Sequence, residues 1–207
     1  MLNKMILGIT GSIGSGKTTI AKLFCKHGFE RIDADKISHE LMKNNLQLRK
    51  LLIKNFGFKI AAKNKIIDRK KLGEIVFDDE KKLKKLNLIM HPLIILEIKN
   101  QIEKIQKKCG GSAKIIVDAP LLLETNAKDL VDKIIVVKCS DNKIIQRLLK
   151  KGKRTKKEIM QISKSQMPAK EKLKFADFAV DNGRDLENLE RQVVEIMDKL
   201  KRNTKLS

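Results

Sequence analysis

Met5-Ile6-Leu7-Gly8-Ile9-Thr10-Gly11-Ser12-Ile13-Gly14-Ser15-Gly16-Lys17-Thr18 joins an apolar run, a glycine-rich turn and a Lys-Thr pair. From Gly11 to Thr18 it matches the phosphate-loop pattern G-x-x-x-x-G-K-S/T at every position. Gly11, Ser12, Ile13, Gly14, Ser15, Gly16, Lys17 and Thr18 are therefore the expected nucleotide contacts. Glycines permit the backbone angles that turn successive N–H groups inward. Those donors, with a helix N-terminus behind them, suit a β-phosphate. Lys17 is placed to bridge β- and γ-oxygens, and the Thr18 hydroxyl to ligate magnesium. A chance glycine turn is the bland alternative. The strand before the loop and the helix after it are the context the motif needs. The glycines do not follow G-x-G-x-x-G from Gly11, so a nicotinamide-binding loop is not expected.

The flanking sequence extends this strand–loop–helix unit. Lys17–Lys26 is amphipathic, Gly28 ends it, and Phe29–Asp33 reads as a second strand. Ile115–Asp118, Ile134–Val137 and Phe178–Val180 read as further short strands. Apolar strands alternating with helices imply a parallel sheet covered on both faces. Lys36–Lys108 is helical and charged, with Leu83, Leu86, Asn87 and Met90 at helical spacing and Pro92 expected to break or restart the helix. Helices are also expected over Asn142–Lys151, Glu158–Gln166 and Leu186–Leu200, the last capped by Asp185, with a frayed tail over 201–207. No internal repeat is visible.

Two carboxylates fall at strand ends. Asp33, in Asp33-Ala34-Asp35, ends the second strand, and Asp118 ends the third in Ile116-Val117-Asp118-Ala119-Pro120. Ligands of parallel α/β sheets sit beyond the carboxyl ends of the strands. Asp33 there could accept a hydroxyl proton or help hold a metal, or it could simply cap the next helix. Asp118 has the apolar-strand-then-Asp pattern of a magnesium carboxylate, or is an ordinary strand-end acid. Glu124 is a weaker candidate for the same edge.

Composition narrows the partners. The chain has 207 residues, suiting one domain with insertions, and is 42% apolar, which argues against disorder. No segment approaches the roughly 20 apolar residues needed to span a bilayer. Met1 to Gly8 reads as a first strand rather than a signal peptide, so the cytoplasm is the expected compartment. Cys25, Cys109 and Cys139 lack Cys-x-x-Cys spacing, so neither a disulfide framework nor a zinc site is expected. The formal net charge of +21 favours polyanionic partners. The excess is spread over most of the chain, however, and there is no Trp or Tyr to build a stacking platform for single-stranded nucleic acid. No nucleic-acid or membrane partner is expected. A phosphate loop alone does not separate kinase, GTPase and ATPase. No Asn-Lys-x-Asp guanine motif is present, which weakens the GTPase reading.

Several motifs occur together and in order: the phosphate loop, Ile32-Asp33-Ala34-Asp35, Asp68-Arg69-Lys70-Lys71-Leu72, Val76-Phe77, and Leu86-Asn87-Leu88-Ile89-Met90-His91-Pro92-Leu93-Ile94. Asp118-Ala119-Pro120-Leu121-Leu122-Leu123-Glu124, Gln146-Arg147, Ser165-Gln166-Met167, Ala176-Asp177 and Val180-Asp181-Asn182-Gly183 follow. Over residues 5 to 195 the chain resembles the bacterial dephospho-coenzyme A kinases. The phosphate loop is shared by many families. The succession Asp-Ala-Asp, Asn-x-x-x-His-Pro, Pro-Leu-Leu-x-Glu and Asp-Asn-Gly is far more specific.

The resemblance implies an α/β, P-loop nucleotide-kinase-like parallel five-stranded sheet flanked by helices. The core would be about 1–35, 112–149 and 173–202, the helical substrate insert about 36–111, and the lid about 150–172. It implies ATP and Mg2+ as cofactors and dephospho-coenzyme A as acceptor. Asp33 is then the base for the ribose 3′-hydroxyl. Lys17 and Arg147 are catalytic cations, Arg147 standing at the lid, and Asn182 and Gly183 lie near the adenine. Arg69, His91 and Pro92, with Asp33, are the implied acceptor-binding residues, His91 being equally readable as a structural hydrogen-bonder. Thr18 and Asp118 are the implied metal residues. The chain departs from its relatives at Lys151, where a second lid arginine is usual; Arg154 is the candidate substitute. Another nucleoside or nucleotide kinase is the nearest rival. A P-loop ATPase or nucleic-acid-binding module is the rival from a different class.

Overall fold

The computed structural model describes residues 4–62, 66–150, 152 and 155–203. Strand β1 is Met5–Gly11, and every residue after Met5 is buried. An unbroken apolar strand of this kind belongs at the centre of a sheet covered on both faces. Helix α1, Lys17–Lys26, leads from the loop to β2, Glu30–Asp33. The next elements are α2, Ala34–Asn44; α3, Leu46–Phe56; α4, Arg69–Phe77; and α5, Glu80–Lys108. The chain returns through β3, Lys114–Asp118, then β4, Lys133–Lys138, and α6, Asp141–Lys150. It finishes with α7, Lys156–Lys164; α8, Ala169–Leu173; β5, Phe178–Asp181; and α9, Leu186–Asn203.

The five strands form one sheet of order β2-β3-β1-β4-β5, with every pairing parallel. After β3 the chain crosses to the other side of β1, so the carboxyl ends of these strands frame the crevice where such sheets bind ligands. In register, Ile9 pairs with Asp118, and Asp118 pairs with Asp33. The phosphate loop and both strand-end acids therefore share one edge.

The chain divides into two compact units, Met1–Asp33 with Lys99–Ser207, and Ala34–Ile98. In the first, α1 contributes Ile20, Leu23 and Phe24 to a core with Leu7, Ile9, Ile116, Ile135 and Val137 from the sheet. Helix α9 adds Leu189, Val193, Ile196, Met197 and Leu200, an apolar stripe at helical spacing. Asp185 caps α9 by accepting from the Asn188 N–H at 2.8 Å. The second unit has its own core, including Leu52, Phe56, Ile60, Leu72, Val76 and Met90. Its helices start on side-chain caps: Asn45 accepts from Leu48 N, and Asp68 from Lys70 N and Lys71 N.

Three expectations need correction. Pro92 does not break the helix; α5 runs uninterrupted for 29 residues with Pro92 inside it. Proline frees the carbonyl four residues back, here that of Leu88. Leu88 is 78% exposed, so solvent can satisfy that oxygen. The helix predicted over Glu158–Gln166 is shifted to Lys156–Lys164, because Thr155 and Glu158 form a reciprocal capping box. Residues 201–203, expected in a frayed tail, belong to α9, which continues to Asn203, and 204–207 lie outside the described residues.

Candidate functional site

The loop's shape follows from its glycines. Gly16 precedes α1 with φ +96°, a left-handed value that disfavours any side chain. A Cβ there would also lie 1.9 Å from Asn182 Nδ2. Gly11 is closed in from the sheet side, where a Cβ would stand 2.4 Å from the Val137 carbonyl oxygen. Lys17 is buried, and its ammonium donates to the Gly11 and Ser12 carbonyls at 3.0 Å each. Its charge thus sits inside the turn. The Ser15 hydroxyl is buried with no protein partner. An orphaned polar atom in a glycine-rich loop at a helix N-terminus suits an anionic ligand.

Beside the loop, the Thr18 hydroxyl donates to Asp118 Oδ2 at 3.3 Å. That separation is close to the roughly 3 Å between adjacent oxygens around an octahedral magnesium ion with bonds of about 2.1 Å. Among the described residues no three His, Cys, Asp or Glu side chains cluster to hold a metal unaided. Magnesium commonly takes one or two protein oxygens and completes its shell with water and substrate phosphates. The Thr18–Asp118 pair fits that chemistry. Asp33 joins the same group through an arginine that sequence reading passed over. Arg31 Nη2 donates to Asp33 Oδ2 and to Asp118 Oδ2, both at 2.6 Å, and lies 3.5 Å from Thr18 Oγ1. Strand alternation could have flagged it, because Arg31 and Asp33 stand two apart in β2 and face the same side.

On the other flank, Asn182 is buried and its amide donates to the Ser15 carbonyl at 2.7 Å. Arg147, in α6, donates through Nη2 to the Asn182 backbone carbonyl at 3.1 Å and to its side-chain oxygen at 3.4 Å. Lys143 donates to the Gly183 carbonyl. The structure thus brings Arg147, Asn182 and Gly183 to the loop's rim. Lys151 and Arg154 lie outside the described residues.

The segment after α7 is tied to the loop from below. Gln166 accepts from the Ile13 N–H at 2.9 Å, and Glu124 accepts from Met167 N at 2.9 Å. Lys172, fully buried, donates to the Pro120 carbonyl at 2.6 Å and to Thr10 Oγ1 at 3.2 Å, and is 2.9 Å from Glu124. Burial pushes the Lys172 ammonium pKa below its ordinary value, and the Glu124 carboxylate only partly offsets this. Glu124 was the weaker sequence candidate; here it is an anchor. Nothing in the sequence singled out Lys172 among 46 lysines and arginines.

Of the implied acceptor residues, Arg69, His91 and Pro92 lie in the second unit, whereas Asp33 belongs to the first. Arg69 is the exposed first residue of α4, and His91 and Pro92 lie within α5.

Known proteins point the same way as this geometry. The dephospho-CoA kinase family model matches residues 5–188. The dephospho-CoA kinase of Fusobacterium nucleatum is 40% identical over 190 residues, covering 91% of this chain and 95% of its own. That of Carboxydothermus hydrogenoformans is 36% identical over 201 residues, 97% of each chain. The solved structure of dephospho-CoA kinase from Campylobacter jejuni superposes with a TM-score of 0.69 at 30% identity, covering 96% of this chain and 98% of that one. A phosphate loop completed by strand-end acids on a parallel sheet, matched along nearly its whole length, places this chain in the dephospho-CoA kinase family.

Proposed function

We propose that this chain transfers the γ-phosphoryl group of ATP to the ribose 3′-hydroxyl of dephospho-coenzyme A, yielding coenzyme A and ADP. The observation that carries the reading is the convergence of Thr18, Asp33 and Asp118 beside the phosphate loop. A kinase needs a phosphate cradle, metal-binding oxygens and a base in one place.

The loop amides and Lys17 bind and orient the triphosphate. Thr18 and Asp118 would hold magnesium, which would neutralise triphosphate charge when bound. Asp33 takes the proton of the attacking hydroxyl, so that the nucleophile forms as the phosphoryl group leaves ADP. Arg147, held at the rim by Asn182, supplies a further cation for the transferring group. The Asn182-Gly183 turn flanks the adenine. Arg69, His91 and Pro92 in the helical unit serve the acceptor, and within the expected lid of 150–172 the part before Gln166 excludes water, the part from Gln166 to Lys172 being its fixed base. Among the described residues no helix is long and apolar enough to cross a membrane.

The direct test is ADP release with ATP and a panel of acceptors. Dephospho-coenzyme A should stimulate release far more than adenosine, AMP or shikimate. Phosphorylation of AMP with none of dephospho-coenzyme A would assign the chain to the nucleotide kinases instead.

A further inference from the structure

Arg31 stands outside the phosphate-loop motif and outside the Asp-Ala-Asp sequence, yet it is the hub of the acidic cluster. Three oxygens surround one of its nitrogens: Asp33 Oδ2 and Asp118 Oδ2 at 2.6 Å and Thr18 Oγ1 at 3.5 Å. An arginine bound for its fork geometry spreads its bonds over two nitrogens. Here Nη2 alone meets both carboxylates, and the buried Nε–H has no hydrogen-bond partner. The guanidinium is thus seated as a point charge among oxygens. Its placement follows from the sheet. Asp33 and Asp118 are register partners on neighbouring strands, so their carboxylates face each other, and Arg31 is two residues back on the same side.

We propose that Arg31 is the resident counter-ion of the two strand-end acids, holding Asp33 and Asp118 together until magnesium nucleotide docks and competing with the divalent ion for Asp118. This rests on the reading of Thr18 and Asp118 as magnesium donors. A cation bonded to those two oxygens would occupy the space that Nη2 fills. Two positive charges so close repel strongly in a partly desolvated site. Arg31 therefore withdraws as the nucleotide enters. Its side chain is 20% exposed, so it opens toward solvent.

The experiment is manganese binding, followed by electron paramagnetic resonance in saturating ADP, where no turnover occurs. Arg31→Gln should bind manganese about tenfold more tightly than the unaltered protein. Arg31→Lys keeps the charge and should stay within about twofold. In EDTA, Arg31→Gln should melt below the unaltered protein, because two facing carboxylates lose their cation. Manganese with ADP should raise its melting temperature by more than it raises that of the unaltered protein. Arg31→Met, neutral with a long apolar stem, must show the same tightening and replaces the Gln variant if that one fails to fold. Asp118→Asn is the control for the metal site. Normal manganese binding by Asp118→Asn would remove the metal reading and the proposal with it. If Asp118→Asn weakens binding while Arg31→Gln and Arg31→Met bind manganese no more tightly than the unaltered protein, the metal reading stands and the role of Arg31 falls alone.

Discussion

Asp33 and Asp118 face each other across adjacent strands, an arrangement that costs repulsion unless a cation or a shared function holds it. A single substitution separates the two meanings that sequence left open for Asp33. Asp33→Asn keeps the shape and most of the capping ability but removes the base. Turnover should fall by about 10²–10⁴, with ATP binding little changed when followed by fluorescence of a labelled nucleotide. Normal turnover would return Asp33 to a capping role. Lys17→Ala removes the ammonium held by the Gly11 and Ser12 carbonyls. Its turnover should fall by roughly 10²–10³, the size typical of one lost transition-state donor. The fold should persist in circular dichroism, because glycines and backbone bonds shape the loop. Thr18, Asp33 and Asp118 were legible in sequence because a motif or a strand end marked them. Arg31 was not, since one arginine in a chain of charge +21 stands out only once strand register places it against two acids.

At the level of elements, β1, α1 and the strand-end loops were readable because local pattern sets them. Their neighbours in the sheet were not, because the order β2-β3-β1-β4-β5 depends on pairings between residues far apart in sequence. Helix α8 is only five residues long, too short for periodicity to register, and it carries Lys172. That residue ties α8 to Thr10, Pro120 and Glu124 beneath the loop. Lys172→Met leaves Glu124 without its cation and should destabilise by roughly 2–4 kcal/mol in urea unfolding at neutral pH. The folded Lys172 pKa lies below 10.5. Between that folded value and 10.5 the unfolded chain binds more protons, so stability from this group rises with pH there. The stability gap between the unaltered protein and Lys172→Met should therefore widen as pH climbs through that alkaline window. A gap that narrows would contradict the assignment.

For the molecule as a whole, alternation of strands and helices announced a parallel α/β core, and the helical stretch between β2 and β3 read as an insert over about 36–111 within one domain. The unit Ala34–Ile98 has a core of its own, which helical patterning alone could not delimit. Arg69, His91 and Pro92 belong to that unit, so their proposed part in acceptor binding concerns a different body from the one that carries Lys17, Asp33 and Asp118. The +21 charge suits a reaction in which both substrates are polyanions. What the acceptor is, and which of its hydroxyls reacts, is read from the product. Phosphorus NMR of a reaction of ATP with dephospho-coenzyme A should show ADP and a new phosphomonoester forming in equal amounts, the new resonance coupled to the ribose H3′. ADP accompanied only by inorganic phosphate, or a phosphate on any other hydroxyl, would contradict the proposed reaction.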